Sequence, residues 1–104
     1  MMPGDRAVVE GRQYQGTDEI IAYNLTTTPW GSAPAGAAVK GYDVTAGAYT
    51  DVSATIISGA PVTVGDVIQF IVKSLTLSHE YRVEVKFTSG ASTFEPYVEI
   101  EAER

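Results

Sequence analysis

The chain has no cysteine, a single histidine, seven basic residues against thirteen acidic ones, and no apolar run that approaches the thickness of a bilayer. Each shortage removes a class of function. Without thiols there is no disulfide framework, no zinc–thiolate site and no cysteine nucleophile, so stability has to come from packing and backbone pairing. A formal net charge of −6 with scattered basic residues argues against phosphate-backbone partners, because counterion release needs clustered Lys and Arg. Nucleic acid is therefore not expected to bind. A membrane helix needs about 18 or more apolar residues in succession, and the opening "MMPGDRAVVEGRQ" lacks the apolar stretch of a signal peptide. A soluble protein made in a cytoplasm, without a signal peptide or membrane contact, is the expectation. Asn24-Leu25-Thr26 then reads as a strand end and not as a glycosylation acceptor.

What is present is β-forming. A chain of 104 residues is long enough for one apolar core that buries roughly 60–70% of the unfolded surface. Residues 1–16 hold Gly and Pro with no sustained period and read as a flexible N-terminal arm or a loosely attached first strand; residues 17–104 read as the single folded domain. From Glu19 onward, short segments rich in Val, Ile, Tyr, Phe and Thr alternate with Gly, Pro, Ser and Asp clusters. Strands are expected near Glu19–Leu25, Ala38–Thr45, Ser53–Ser58, Val67–Ser74, Glu80–Thr88 and Thr93–Glu103, with Pro61–Val64 as a short extra. Helix should be nearly absent, because no long segment keeps a 3.6-residue period. This spacing predicts an all-β, immunoglobulin-like or fibronectin type III-like antiparallel β-sandwich of roughly six to seven strands.

The final hairpin can be assigned a register. Tyr81, Val83, Val85 and Phe87 share one face and Arg82, Glu84 and Lys86 the other. A four-residue Ser89-Gly90-Ala91-Ser92 loop sets Thr88 opposite Thr93. Phe87 then meets Phe94 and Val83 meets Val98 inside, while Arg82 meets Glu99 and Lys86 meets Glu95 outside. Pro96 has no N–H for a ladder, so the C-terminal strand should be an edge.

Candidate chemistry is sparse. His79 stands between Ser78 and Glu80, but neighbours on an extended chain point to opposite sides, so the three cannot form a nucleophile–base–orienter line. A solvent-facing turn residue is the simpler assignment. Asp43, Asp51 and Asp66 lack the spacing of a calcium loop. No catalytic, metal-binding or cofactor-binding residue is assigned, and an enzyme is not expected. Trp30, in the small-residue stretch "TTTPWGSAPAGAA", either anchors a partner or folds over the core as a lid, the latter being preferred. Tyr97, expected to face outward beside Glu84, is the better candidate for a partner contact.

Two resemblances add to this reading. In "SLTLSHEYRVEVKF", Leu75 lies six residues before Tyr81, and alternating apolar residues follow. This resembles the tyrosine corner of fibronectin type III and related sandwiches, with Leu77 where proline is usual and His79 where threonine is common. Over Ile20–Glu103, the order of elements resembles the small immunoglobulin-like proteins of tailed bacteriophages and prophages called fiber-tail adaptors. The shared features are an early strand ending in a Trp-containing loop, a "Val-Ser-Ala-Thr" central strand, a "Ser-Gly-Ala-Pro" turn, "Gly65-Asp66-Val67-Ile68", and a "Tyr81-Arg-Val" strand leading to a Ser-Gly hairpin tip. The resemblance implies a virion component, made in a bacterial or archaeal host cytoplasm, that joins tail or baseplate to fibre. Its partners would be other tail, baseplate and fibre proteins, with no catalytic residues and no cofactor. The alternative is an extracellular adhesion or carbohydrate-binding sandwich module.

Overall fold

Alternation of apolar and polar residues carries through to the architecture. A computed structural model describes residues 11–104 as nine strands, β1 (Gln13–Gly16), β2 (Ile21–Thr26), β3 (Ala35–Asp43), β4 (Thr50–Asp51), β5 (Val62–Val64), β6 (Val67–Val72), β7 (Glu80–Ser89), β8 (Ser92–Phe94) and β9 (Tyr97–Glu103). One helical turn, α1 (Ser53–Ile56), and a 3-10 turn at Thr45–Gly47 complete the order. The larger sheet runs β1-β9-β7-β3-β4, with β8 also paired to β7, and the smaller runs β2-β6-β5. Together they form an immunoglobulin-like β-sandwich.

The core lies between the sheets. From β7 come Tyr81, Val83, Val85 and Phe87, from β9 Val98, Ile100 and Ala102, and from β6 Ile68, Phe70 and Val72, with Leu25, Ile56 and Leu75 filling the remaining space. Each large member contributes about 1.5–3 kcal/mol by leaving water. The terminal hairpin has the expected register: Phe87 faces Phe94, Thr88 faces Thr93, Arg82 faces Glu99 and Val83 faces Val98. Its tip is tighter than expected, because Ser89 and Ser92 pair and only Gly90 and Ala91 turn, with Gly90 at φ 60°.

Four expectations are corrected. The strand count is nine and not six or seven, since β1 and β4 are short additions, the terminal strand divides into β8 and β9 at Glu95-Pro96, and the strand expected at Ser53–Ser58 does not form. The sheets are not purely antiparallel, because β1 runs parallel to β9. For the same reason β9 is not an edge over Ile100–Glu103, which β1 covers from Gln13 to Gly16. Buried Pro96, having no N–H to donate, marks the break between β8 and β9, while its carbonyl still accepts from Val85 N at 2.9 Å. Part of the expected arm is thus strand, and residues 1–10 lie outside the described residues.

The fourth correction concerns Ser53–Ser58, where a strand was expected and Ser53–Ile56 is a helical turn. Asp51 Oδ1 accepts from Ser53 N at 2.9 Å and from Ser53 Oγ at 2.7 Å, which turns the backbone where the β-branched composition favoured extension. Ile56 is thereby swung into the core against Gly41, where a Cβ would stand only 2.5 Å from Ile56 Cδ1. That contact explains the glycine in the middle of β3.

Candidate functional site

On β7 the residues that do not face the core are Arg82, Glu84 and Lys86, and the neighbouring strands bring Tyr rings to them. Register places Tyr42 of β3 and Glu99 of β9 on either side of Arg82, and Lys40 and Tyr97 on either side of Glu84. The Arg82 guanidinium carbon lies 3.6 Å from the centroid of the Tyr97 ring and 5.7 Å from that of Tyr49. Tyr49 stacks on Tyr42 at 5.3 Å between centroids. The Thr45–Gly47 turn and the short β4, paired to Tyr42 and Asp43, fold Tyr49 back over β3.

Arg82 is held on both its plane and its edge. Its Nε lies 3.0 Å from Glu84 Oε2, an ionic contact without hydrogen-bond alignment, and both side chains are mostly covered, at 19% and 18% exposure. Cation–π contacts contribute about 0.5–1 kcal/mol at exposed sites and more when desolvated. The outcome is a pre-ordered array of Tyr42, Tyr49, Arg82 and Tyr97 on the outer face of the larger sheet. Tyr and Arg are the residue types that protein interfaces favour at their centres. Tyr97 faces outward beside Glu84, as its position in the hairpin indicated. Tyr49 and Arg82 were not singled out, and the signal for Arg82 was its place between two Tyr-bearing strands.

Trp30 sits elsewhere. It is half-buried against the core, and its backbone N–H donates to Thr27 O at 2.9 Å within a loop that Asp66 closes by accepting from Ala33 N. This is a lid over the sandwich and not part of the Tyr–Arg array. Leu75 is buried, and the Tyr81 hydroxyl accepts from Thr76 N at 2.8 Å, tying β7 back to the segment before it.

His79 reaches Asp43, not Ser78: Nδ1 and Asp43 Oδ2 are 2.6 Å apart. The other oxygen, Oδ1, accepts from Thr45 N and Thr45 Oγ1, and Thr45 Oγ1 accepts from Glu80 N. Burial pushes the Asp43 carboxyl up, but the hydrogen bonds from Thr45 and His79 outweigh it and hold it below the ordinary carboxylate range. An imidazole oriented by a carboxylate is two of the three members of a catalytic triad, and here the arrangement pins the Thr45–Gly47 turn to the start of β7. Asp51 and Asp66 are likewise spent on backbone, at Ser53 and Ala33. Among the described residues no group of three or more His, Asp or Glu is placed to hold a metal ion.

Two further residues escaped the sequence reading. Arg12 Nη1 contacts Glu80 Oε1 at 2.5 Å and Glu101 Oε1 at 3.1 Å, fastening the start of β1 across β9 to β7. Gln15 is fully buried, its Nε2 donating to Val72 O and Glu19 O while its Oε1 accepts from the Tyr23 hydroxyl at 2.8 Å. It bridges the two sheets. No protein-family model matches the chain, and no curated protein matches it.

Proposed function

We propose that this chain is an assembly protein of a tailed phage or prophage, an adaptor between tail or baseplate and fibre that acts through protein–protein contacts. The observation that carries the reading is the Tyr42–Tyr49–Arg82–Tyr97 array. Its rings and its cation already contact one another before any partner binds, which lowers the side-chain entropy lost on contact, and it combines planar rings with a charged group. The immunoglobulin-like sandwich is the fold that the adaptor resemblance implies, although its "Val-Ser-Ala-Thr" segment, expected as a central strand, is a helical turn. Weak single contacts suffice where copies repeat in a symmetric particle.

The experiment is copurification of the tagged protein with tails from a lysate of its producing host, repeated with Arg82→Ala and Tyr97→Ala. Retention of the parent and roughly tenfold weaker retention of both variants is the expected result. A second reading, the adhesion or carbohydrate-binding module, draws on the exposed Tyr49 ring stacked on Tyr42, a surface on which a sugar could lie. Specific glycan binding without any tail association would replace the adaptor reading by this one.

A further inference from the structure

The two sheets differ sharply in charge. No residue of β2, β5 or β6 is charged, whereas β7 alone carries Glu80, Arg82, Glu84 and Lys86. The sandwich also treats its strand edges unequally. At the rims, β4 is two residues long, β5 is three residues long and follows Pro61, and β1 is four residues long and fastened by Arg12. Such shortening and charging discourage stray pairing. Beyond β4, the register of β3 is irregular between Ala35 and Ala38, and β8 is three residues long; β2, by contrast, is six residues long, contains no proline, and keeps an unbroken register against β6 from Ile21–Val72 to Thr26–Val67. Among the described residues no strand pairs with its outer side.

The hydrogen-bond phase of that edge can be read. Thr27 N donates to Asp66 O at 2.8 Å, and the two residues continue the β2–β6 register, so this is a directly bonded pair. By alternation Ile21, Tyr23 and Leu25 bond to β6, and the N–H and C=O groups of Ala22, Asn24 and Thr26 point away from it. The side chains of these three residues are exposed on the outer face of the sheet and are short. They leave the edge open to another backbone.

We infer that this edge is a self-association site, where β2 pairs antiparallel with β2 of a second copy about a two-fold axis through Asn24. Asn24 then faces Asn24 of the second copy, and Ala22 faces Thr26, so every outward N–H and C=O of the three residues finds a partner. Tyr23 and Leu25 stay on the core side in both copies, as period-two alternation requires. Charge favours a second copy over other arrangements of like molecules. In a chain of net charge −6, this strand brings no charged residue against its own image, and Asp18 and Glu19 fall at opposite ends of the pair. The paired β2 strands join the two smaller sheets into one. The inference is independent of the partner that the Tyr–Arg array takes.

Sedimentation velocity on the full chain across a concentration series tests it, together with Asn24→Lys, Asn24→Glu and their equimolar mixture. Mass is expected to rise from 11.1 kDa toward twice that value with concentration. Each variant alone sets like charges opposite one another and should self-associate roughly fivefold more weakly, while the mixture recovers association as a heterodimer. Amide hydrogen exchange of the unmodified chain supplies a readout free of substitution: protection at Ala22, Asn24 and Thr26 should grow with concentration. A monomer at every concentration, a dimer indifferent to both variants, or a mixture that recovers nothing overturns the inference. So does protection of the three amides that ignores concentration, because another part of the same chain would then cover the edge.

Discussion

The Arg82 guanidinium lies over the Tyr97 ring at 3.6 Å from its centroid, joining β7 to β9 outside the core. A double-mutant cycle of Arg82→Ala and Tyr97→Ala should therefore give a coupling of about 0.5–1 kcal/mol in urea unfolding. Additive single effects would show that the two groups merely lie near each other.

Tyr81→Phe removes the acceptor of the Thr76 N–H and leaves the apolar ring in place. The cost should be about 1 kcal/mol, read as a lower urea midpoint at unchanged slope. Under the proposed adaptor role, association with tails by the folded variant should match the parent.

Gln15→Leu keeps side-chain volume but strands the Tyr23 hydroxyl that bonds Gln15 Oε1. An unsatisfied buried polar group costs about 1–3 kcal/mol, so the variant should melt several degrees below the parent. Adding Tyr23→Phe should recover part of that loss, since no hydroxyl then lacks a partner. A double variant no more stable than the single one would place the damage elsewhere.

Burial, assisted by the charge of Glu19, pushes the Tyr23 hydroxyl from 10.0 up to about 12. A pKa raised in the folded state means that the folded protein holds its proton longer than the unfolded chain. The associated stability is fully present below pH 10 and is lost as pH rises toward 12. Melting temperature followed across that interval should fall more steeply for the parent than for Tyr23→Phe.

Where the chain alternates between core and solvent over many residues, sequence alone placed the strands. Tyr81, Val83, Val85 and Phe87 fixed the sheet face, and a slip of one residue would have exposed all four. Tyr97 followed from the same register. The misses share a cause, which is that a tertiary partner overrode a local preference. The strand expected at Ser53–Ser58 became a helical turn because Asp51 holds Ser53 N and Oγ, and Gly41 left a hole for Ile56. In "QYQG" the aromatic ring would ordinarily mark the inner face. Instead Tyr14 is exposed and Gln15 buried, because the smaller sheet offers Val72 O, Glu19 O and the Tyr23 hydroxyl at that point. Local sequence cannot announce partners that only the fold brings together, such as Val72 for Gln15 or Arg82 for Tyr49.

The parallel pairing of β1 with β9 has a mechanical meaning. Gln13 lies beside Ile100 and Gly16 beside Glu103, so the chain enters β1 at one end of the pair and leaves β9 at the other. Tension applied between residue 12 and residue 104 drags the two strands past each other lengthwise. The bonds of this ladder then share the load together, where an antiparallel hairpin pulled at its open end would lose them one after another. The sandwich is clamped in the direction along which a connector between larger bodies would be stretched.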